Sequence, residues 1–72
     1  MNKPLHYFER TGLFMHNGNT HGCESWKLIG ECTDEQFHEF VDRLTAWRKK
    51  NKIEVLPTER VKEFFSKFMR ER

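Results

Sequence analysis

The stretch Thr33-Asp34-Glu35-Gln36-Phe37-His38-Glu39-Phe40-Val41-Asp42-Arg43-Leu44-Thr45-Ala46-Trp47-Arg48-Lys49-Lys50-Asn51 decides how the chain folds, because its start, its period and its end agree on one helix. Thr33 to Gln36 has the form of a capping box. The Thr33 hydroxyl can accept from the backbone N–H three residues on, and the Gln36 side chain can reach back to the N–H of Thr33. Asp34 and Glu35 place negative charge at the positive end of the helix dipole. Phe37, Phe40, Val41, Leu44 and Trp47 recur at steps of three and four and fall on one stripe. Arg48, Lys49 and Lys50 fill the last turn, and Asn51 has the residue type expected to close the helix in a left-handed conformation.

Downstream, residues 52–56 form a connector with apolar Ile53, Val55 and Leu56. Pro57 forces Leu56 out of helical geometry. Thr58 is the expected N-cap of a second helix, with Glu59 in its first turn. Val61, Phe64, Phe65, Phe68 and Met69 repeat the one-faced helical pattern, which carries the second helix over 58–71. A short connector predicts that the two helices pack antiparallel with their aromatic stripes facing.

Upstream the pattern is not helical. Residues 1–4 are a lead-in expected to fray. Leu5, Tyr7 and Phe8 precede Glu9-Arg10-Thr11-Gly12, and Leu13, Phe14 and Met15 follow. A Gly-terminated tetrad between aromatic segments suits a hairpin, with one bent strand from Leu5 to His16 as the other reading. Asn17-Gly18-Asn19 is a tight-turn signal, after which Thr20 to Cys23 is expected to begin a returning strand. Trp26 to Ile29 is the last β-like run, with Gly30 as its expected end. The whole is one small domain of α+β class: an antiparallel β-hairpin or meander over 5–32, then two antiparallel helices, in the order ββαα or βββαα.

With 72 residues the chain buries only about 60% of its unfolded surface. Seven Phe, two Trp and one Tyr offset that small size. Either a compact aromatic core or a homodimer pooling two half-cores supplies the stability. No apolar run approaches the ~20 residues of a membrane span, and the first residues lack the apolar core of a secretory signal. These features place the chain in the cytoplasm, with Cys23 and Cys32 expected as reduced thiols. Their spacing also allows a disulfide.

Net charge is +2. Lys3, Arg10 and Lys27 balance Glu9, Glu24 and Glu31 in the first 32 residues, so the excess lies in the helical half. Such a bias fits a solvated surface, or an acidic partner. Arg48, Lys49, Lys50 and Lys52 form the basic cluster that would neutralise phosphates in a nucleic-acid reading. Interleaved Glu39, Asp42, Glu54, Glu59, Glu63 and Glu71 weigh against it. So does a helix connector too long for a helix-turn-helix reader.

His16, His21, Cys23 and Cys32 are ligand types that zinc takes. Their spacing lacks Cys-x2-Cys, so buried thiols and surface histidines are the simpler account, and no cofactor is expected. A Cys–His nucleophile has no evident oxyanion hole or orienting third group. The glycines build no phosphate loop. The chain therefore reads as non-enzymatic. Its size, its lack of a catalytic signature and its aromatic-plus-basic composition resemble those of small accessory or regulatory proteins of bacteria and their phages, a likeness of type that assigns no residue a role. Tyr7, Phe8, Phe14, Trp26 and Trp47 are more rings than so small a domain easily hides, and aromatics and Arg anchor interfaces. The expectation is a module that binds a protein partner through Phe14, Trp26, Arg48 and Lys50, with nucleic-acid binding through Arg48, Lys49, Lys50 and Lys52 as the alternative.

Overall fold

The computed structural model describes residues 2–16 and 25–71. The Asn17-Gly18-Asn19 turn, the strand expected over Thr20 to Cys23, and the candidate ligands His21 and Cys23 lie outside the described residues. Among the described residues three strands are followed by two helices: β1 Lys3–Phe8, β2 Leu13–Met15, β3 Trp26–Cys32, α1 Asp34–Asn51 and α2 Thr58–Arg70.

The sheet is antiparallel, in the order β2-β1-β3. The hairpin forms at the Gly-terminated tetrad: Gly12 N–H donates to the Phe8 carbonyl at 2.8 Å, and Gly12 takes φ 75°, a left-handed angle that suits glycine. The third strand pairs with β1 rather than with β2, so β1 is central. Alternation along β1 explains that place. Leu5 and Tyr7 point inward and are buried, while Pro4, His6 and Phe8 lie on the outer face. Among the described residues β2 pairs only with His6 to Phe8, so Pro4 has one strand neighbour among them, Glu31 of β3, a place where proline is tolerated. Within the expected lead-in, β1 already starts at Lys3, opposite Cys32.

Gly30 does not end β3. The strand runs on to Cys32, with Ile29 as an extra residue where pairing shifts from Leu5–Gly30 to His6–Leu28. The Phe65 ring of α2 lies against Gly30, where a Cβ would come within 2.6 Å of the ring. Glycine is there for close approach between helix and sheet.

The capping box of α1 is complete: Gln36 N–H donates to Thr33 Oγ1 at 3.2 Å, and Thr33 N–H to Gln36 Oε1 at 2.9 Å. At the other end Lys52, not Asn51, takes the left-handed conformation. Asn51 stays helical and its amide donates to the Trp47 carbonyl at 2.8 Å. Moving the break one residue on lets Ile53 N–H reach the Arg48 carbonyl at 2.9 Å and turns half-buried Ile53 inward.

Thr58 does not cap α2. It is the first helical residue, behind Pro57, which offers no side-chain acceptor. The acceptor comes from the β1–β2 turn: Thr58 N–H donates to Glu9 Oε1 at 2.6 Å.

The helices pack antiparallel, since Phe40 meets Phe68 while Trp47 meets Phe64. Their stripes face each other only in part. Phe40 is the hub, edge-on to Phe14 of β2 at 5.8 Å and to Phe65 of α2 at 5.2 Å. Leu5, Tyr7, Cys32, Leu44, Leu56, Val61 and Phe68 complete the core around it. Tyr7 O–H donates to the Leu56 carbonyl at 2.6 Å, which fixes the helix connector to the central strand.

Candidate functional site

A groove of about 340 Å³ runs between β2 and α1. Phe37, Val41, Thr45 and Arg48 form its helical wall, one edge of the stripe at nearly four-residue steps. The hairpin from Thr11 to Phe14 forms the other wall. At one end His16 stacks on Phe37, with ring centroids 4.7 Å apart. At the other end the Arg48 guanidinium lies under the turn, and a Cβ on Gly12 would sit 3.3 Å from Nη2. The helix therefore runs antiparallel to β2.

Arg48 is the charged group of this groove, beside the hydroxyls of Thr11 and Thr45. It is half-buried, its Nε is fully buried without a partner, and among the described residues its side chain has no hydrogen bond or ion pair. Its charge is felt at Tyr7. Burial pushes the Tyr7 phenol up from its ordinary value, and the bond to Leu56 and the nearby Arg48 only partly oppose that rise.

Two of the four residues expected to bind protein meet here. Phe14 packs inward on Tyr7 at 4.8 Å and leaves one flank on the groove, and Arg48 closes the groove's end. Trp26 is elsewhere: it opens β3, opposite Phe8 and 5.1 Å from its ring, on the far edge of the sheet. Lys50 is exposed and is not part of the groove. Of the basic cluster, Lys49, Lys50 and Lys52 are exposed. Lys49, Lys52 and Arg48 also flank a second depression of about 410 Å³ with Glu54 in its wall. Sequence reading missed Thr11, Thr45 and the backbone of β2. The signal was present on the helix as Phe37-x3-Val41-x3-Thr45-x2-Arg48, but a helical period does not say which strand lies beside it.

Of the zinc candidates, His16 and Cys32 are adjacent. His16 Nε2 lies 2.8 Å from the Cys32 carbonyl oxygen and 3.4 Å from Cys32 Sγ, and Nδ1 lies 3.2 Å from Asp34 Oδ1. Among the described residues no three His, Cys, Asp or Glu side chains are grouped to hold a metal ion. Cys32 is a free thiol, not a disulfide.

Asp34 does supply the orienting third group that the sequence did not reveal. Cys32, His16 and Asp34 stand in the order of nucleophile, base and acid. The thiol is nonetheless fully buried. Burial, with the Asp34 charge as a lesser cause, pushes its pKa up and favours neutral sulfur. What the arrangement does is join the end of β2 to the end of β3 and to the start of α1. Lys3, 3.3 Å from Asp34, holds the Asp34 carboxyl below its ordinary range by hydrogen bond and charge.

Among the described residues no helix is long and apolar enough to cross a membrane. Comparison with protein-family models, with curated proteins and with solved structures finds no match for this chain.

Proposed function

We propose that this chain is a small non-enzymatic accessory or regulatory module that binds a protein partner in the groove between β2 and α1. One observation carries the reading: an apolar cleft bounded by Phe14, Phe37 and Val41 ends on an arginine with no partner among the described residues. The buried Nε of Arg48 has no partner among the described residues, and an unpaired buried polar group costs free energy, so an acceptor brought to this guanidinium from outside would be favoured. Mostly apolar walls with a single orienting charge are the composition of a binding site. The buried free thiol of Cys32 agrees with a reducing compartment, and we place the module in the cytoplasm on that ground.

The test is affinity capture from native extract, with and without nuclease, using the native chain and Thr45→Glu. The new carboxylate sits three residues before Arg48 on the same helical wall, where it pairs with the guanidinium and fills the groove. The expected result is a specific protein that survives nuclease on the native chain and is lost with Thr45→Glu. Retention unchanged by Thr45→Glu would refute the groove. The second reading, nucleic-acid binding, draws on the exposed Lys49, Lys50 and Lys52 at one end of α1. Loss of all captured material to nuclease, with affinity falling steeply as salt rises, would establish it instead.

A further inference from the structure

We infer that the partner enters the groove as an extended segment that adds a fourth strand to the free edge of β2 and sets an acidic side chain on Arg48; the inference rests on the protein-binding reading above. Both outer strands of the sheet have an edge with no strand beside it among the described residues. The two edges differ. β3 carries the bulge at Ile29 and exposed Lys27 and Glu31, devices that discourage a further strand. β2 is Leu13-Phe14-Met15, with no charge, proline or bulge. Alternate residues of a strand turn their N–H and C=O groups away from their neighbour, and among the described residues no strand pairs with the outer edge of β2, although the Leu13 N–H meets Thr11 Oγ1 at 3.4 Å. Main-chain bonds to such an edge give affinity, and pockets beside it select side chains.

The dimensions agree. Phe37 and Arg48 are eleven residues apart on α1, or about 16 Å at 1.5 Å per residue. About five residues of extended chain cover that distance. Polarity follows from the geometry. α1 runs antiparallel to β2, with Phe37 at the Met15 end and Arg48 at the Gly12 end. A segment that pairs antiparallel with β2, as the strands of this sheet do, runs from Phe37 toward Arg48. Its apolar side chains come first, between Phe14, Phe37 and Val41, and its acid comes last. The acid meets a guanidinium that has no carboxylate partner among the described residues. The groove between α1 and α2 differs: its Arg43 is already paired with Glu39 and Glu71.

The experiment pans a phage-displayed random heptapeptide library against the full chain. Enriched peptides are resynthesised with both ends capped, and their affinities are measured by fluorescence anisotropy. The expected consensus is an apolar-x-apolar segment followed by Asp or Glu. Replacing that acid by its amide weakens binding about ten- to a hundredfold, the range of a charge-assisted bond in a part-buried site. Arg48→Met removes the same increment, and N-methylation of the peptide abolishes binding only at alternate positions. Thermal melts confirm that Arg48→Met is folded. Peptides that bind, are lost with Thr45→Glu, but tolerate amide replacement and N-methylation would overturn this inference and leave the groove reading standing. Absence of any peptide sensitive to Thr45→Glu would overturn both. A need for a free C-terminal carboxylate, or a dimer by light scattering that Thr45→Glu dissolves, would name a chain terminus or a second copy as the occupant and overturn the acidic-segment inference.

Discussion

Gly30 shows how one residue type can be misread when its neighbours in space are unknown. In sequence it ends a β-like run, as glycines often do. In the fold it lies inside β3, and the missing side chain is what lets Phe65 reach the sheet. Phe65 is nearly buried and touches Phe40, so it has little room to retreat. Gly30→Ala is expected to lower stability by about 1–3 kcal/mol, the usual effect of overpacking a filled core, measured by urea denaturation. Phe65→Leu in the same chain is expected to recover part of that loss, because the two side chains compete for one space. Strictly additive losses would show that the contact is not the cause. Arg48 makes the same point with opposite consequence. Its place in the last turn suggests a solvated, dipole-favouring charge, yet the hairpin turn covers it and leaves its Nε buried without a partner.

The two helices begin by different means, and only one is local. The capping box of α1 is written in four consecutive residues and forms as read. For α2 the cap arrives from Glu9, in a turn 49 residues away. α2 should therefore depend on the hairpin in a way that α1 does not. Glu9→Ala is expected to cost about 1 kcal/mol, the usual effect of losing a cap. Amide hydrogen exchange should quicken in residues 58–61 while the start of α1 keeps its protection. Equal loosening of both helices would argue against a specific cap. The same bond places the β1–β2 turn, and with it Gly12 over Arg48, so the capping contact also positions one end of the groove.

Across the whole molecule, layering follows from numbers of elements and faces. Three strands offer one inner face, and two helices with aromatic stripes cover it, with Phe40 touching both β2 and α2. A chain of this size has one core and unfolds as a unit. Cys32 reports on that unit, because it is fully buried among strand, helix and His16. Alkylation at Cys32, followed by mass spectrometry of its peptide, is expected to be slow in the native protein and to rise in parallel with the unfolded fraction as denaturant is added. Rapid labelling without denaturant would mean that the end of β3 opens separately from the core.

By itself the sequence determined both helices and the α+β order, since caps and periods are relations among residues near one another in the chain, and it offered the hairpin at the Gly-terminated tetrad beside a single bent strand, a choice the pairing of β1 with β2 decides. It named Phe14 and Arg48, which line the groove, together with Trp26 and Lys50, which do not. Tertiary structure alone decided that β3 joins β1, that Glu9 caps α2, that Asp34 and Cys32 face His16, and that Trp26 lies on the opposite edge from Phe14. Each of these relates residues that are distant in the chain. A period of two or of 3.6 specifies which side of an element is apolar, and packing the whole chain specifies what that side meets.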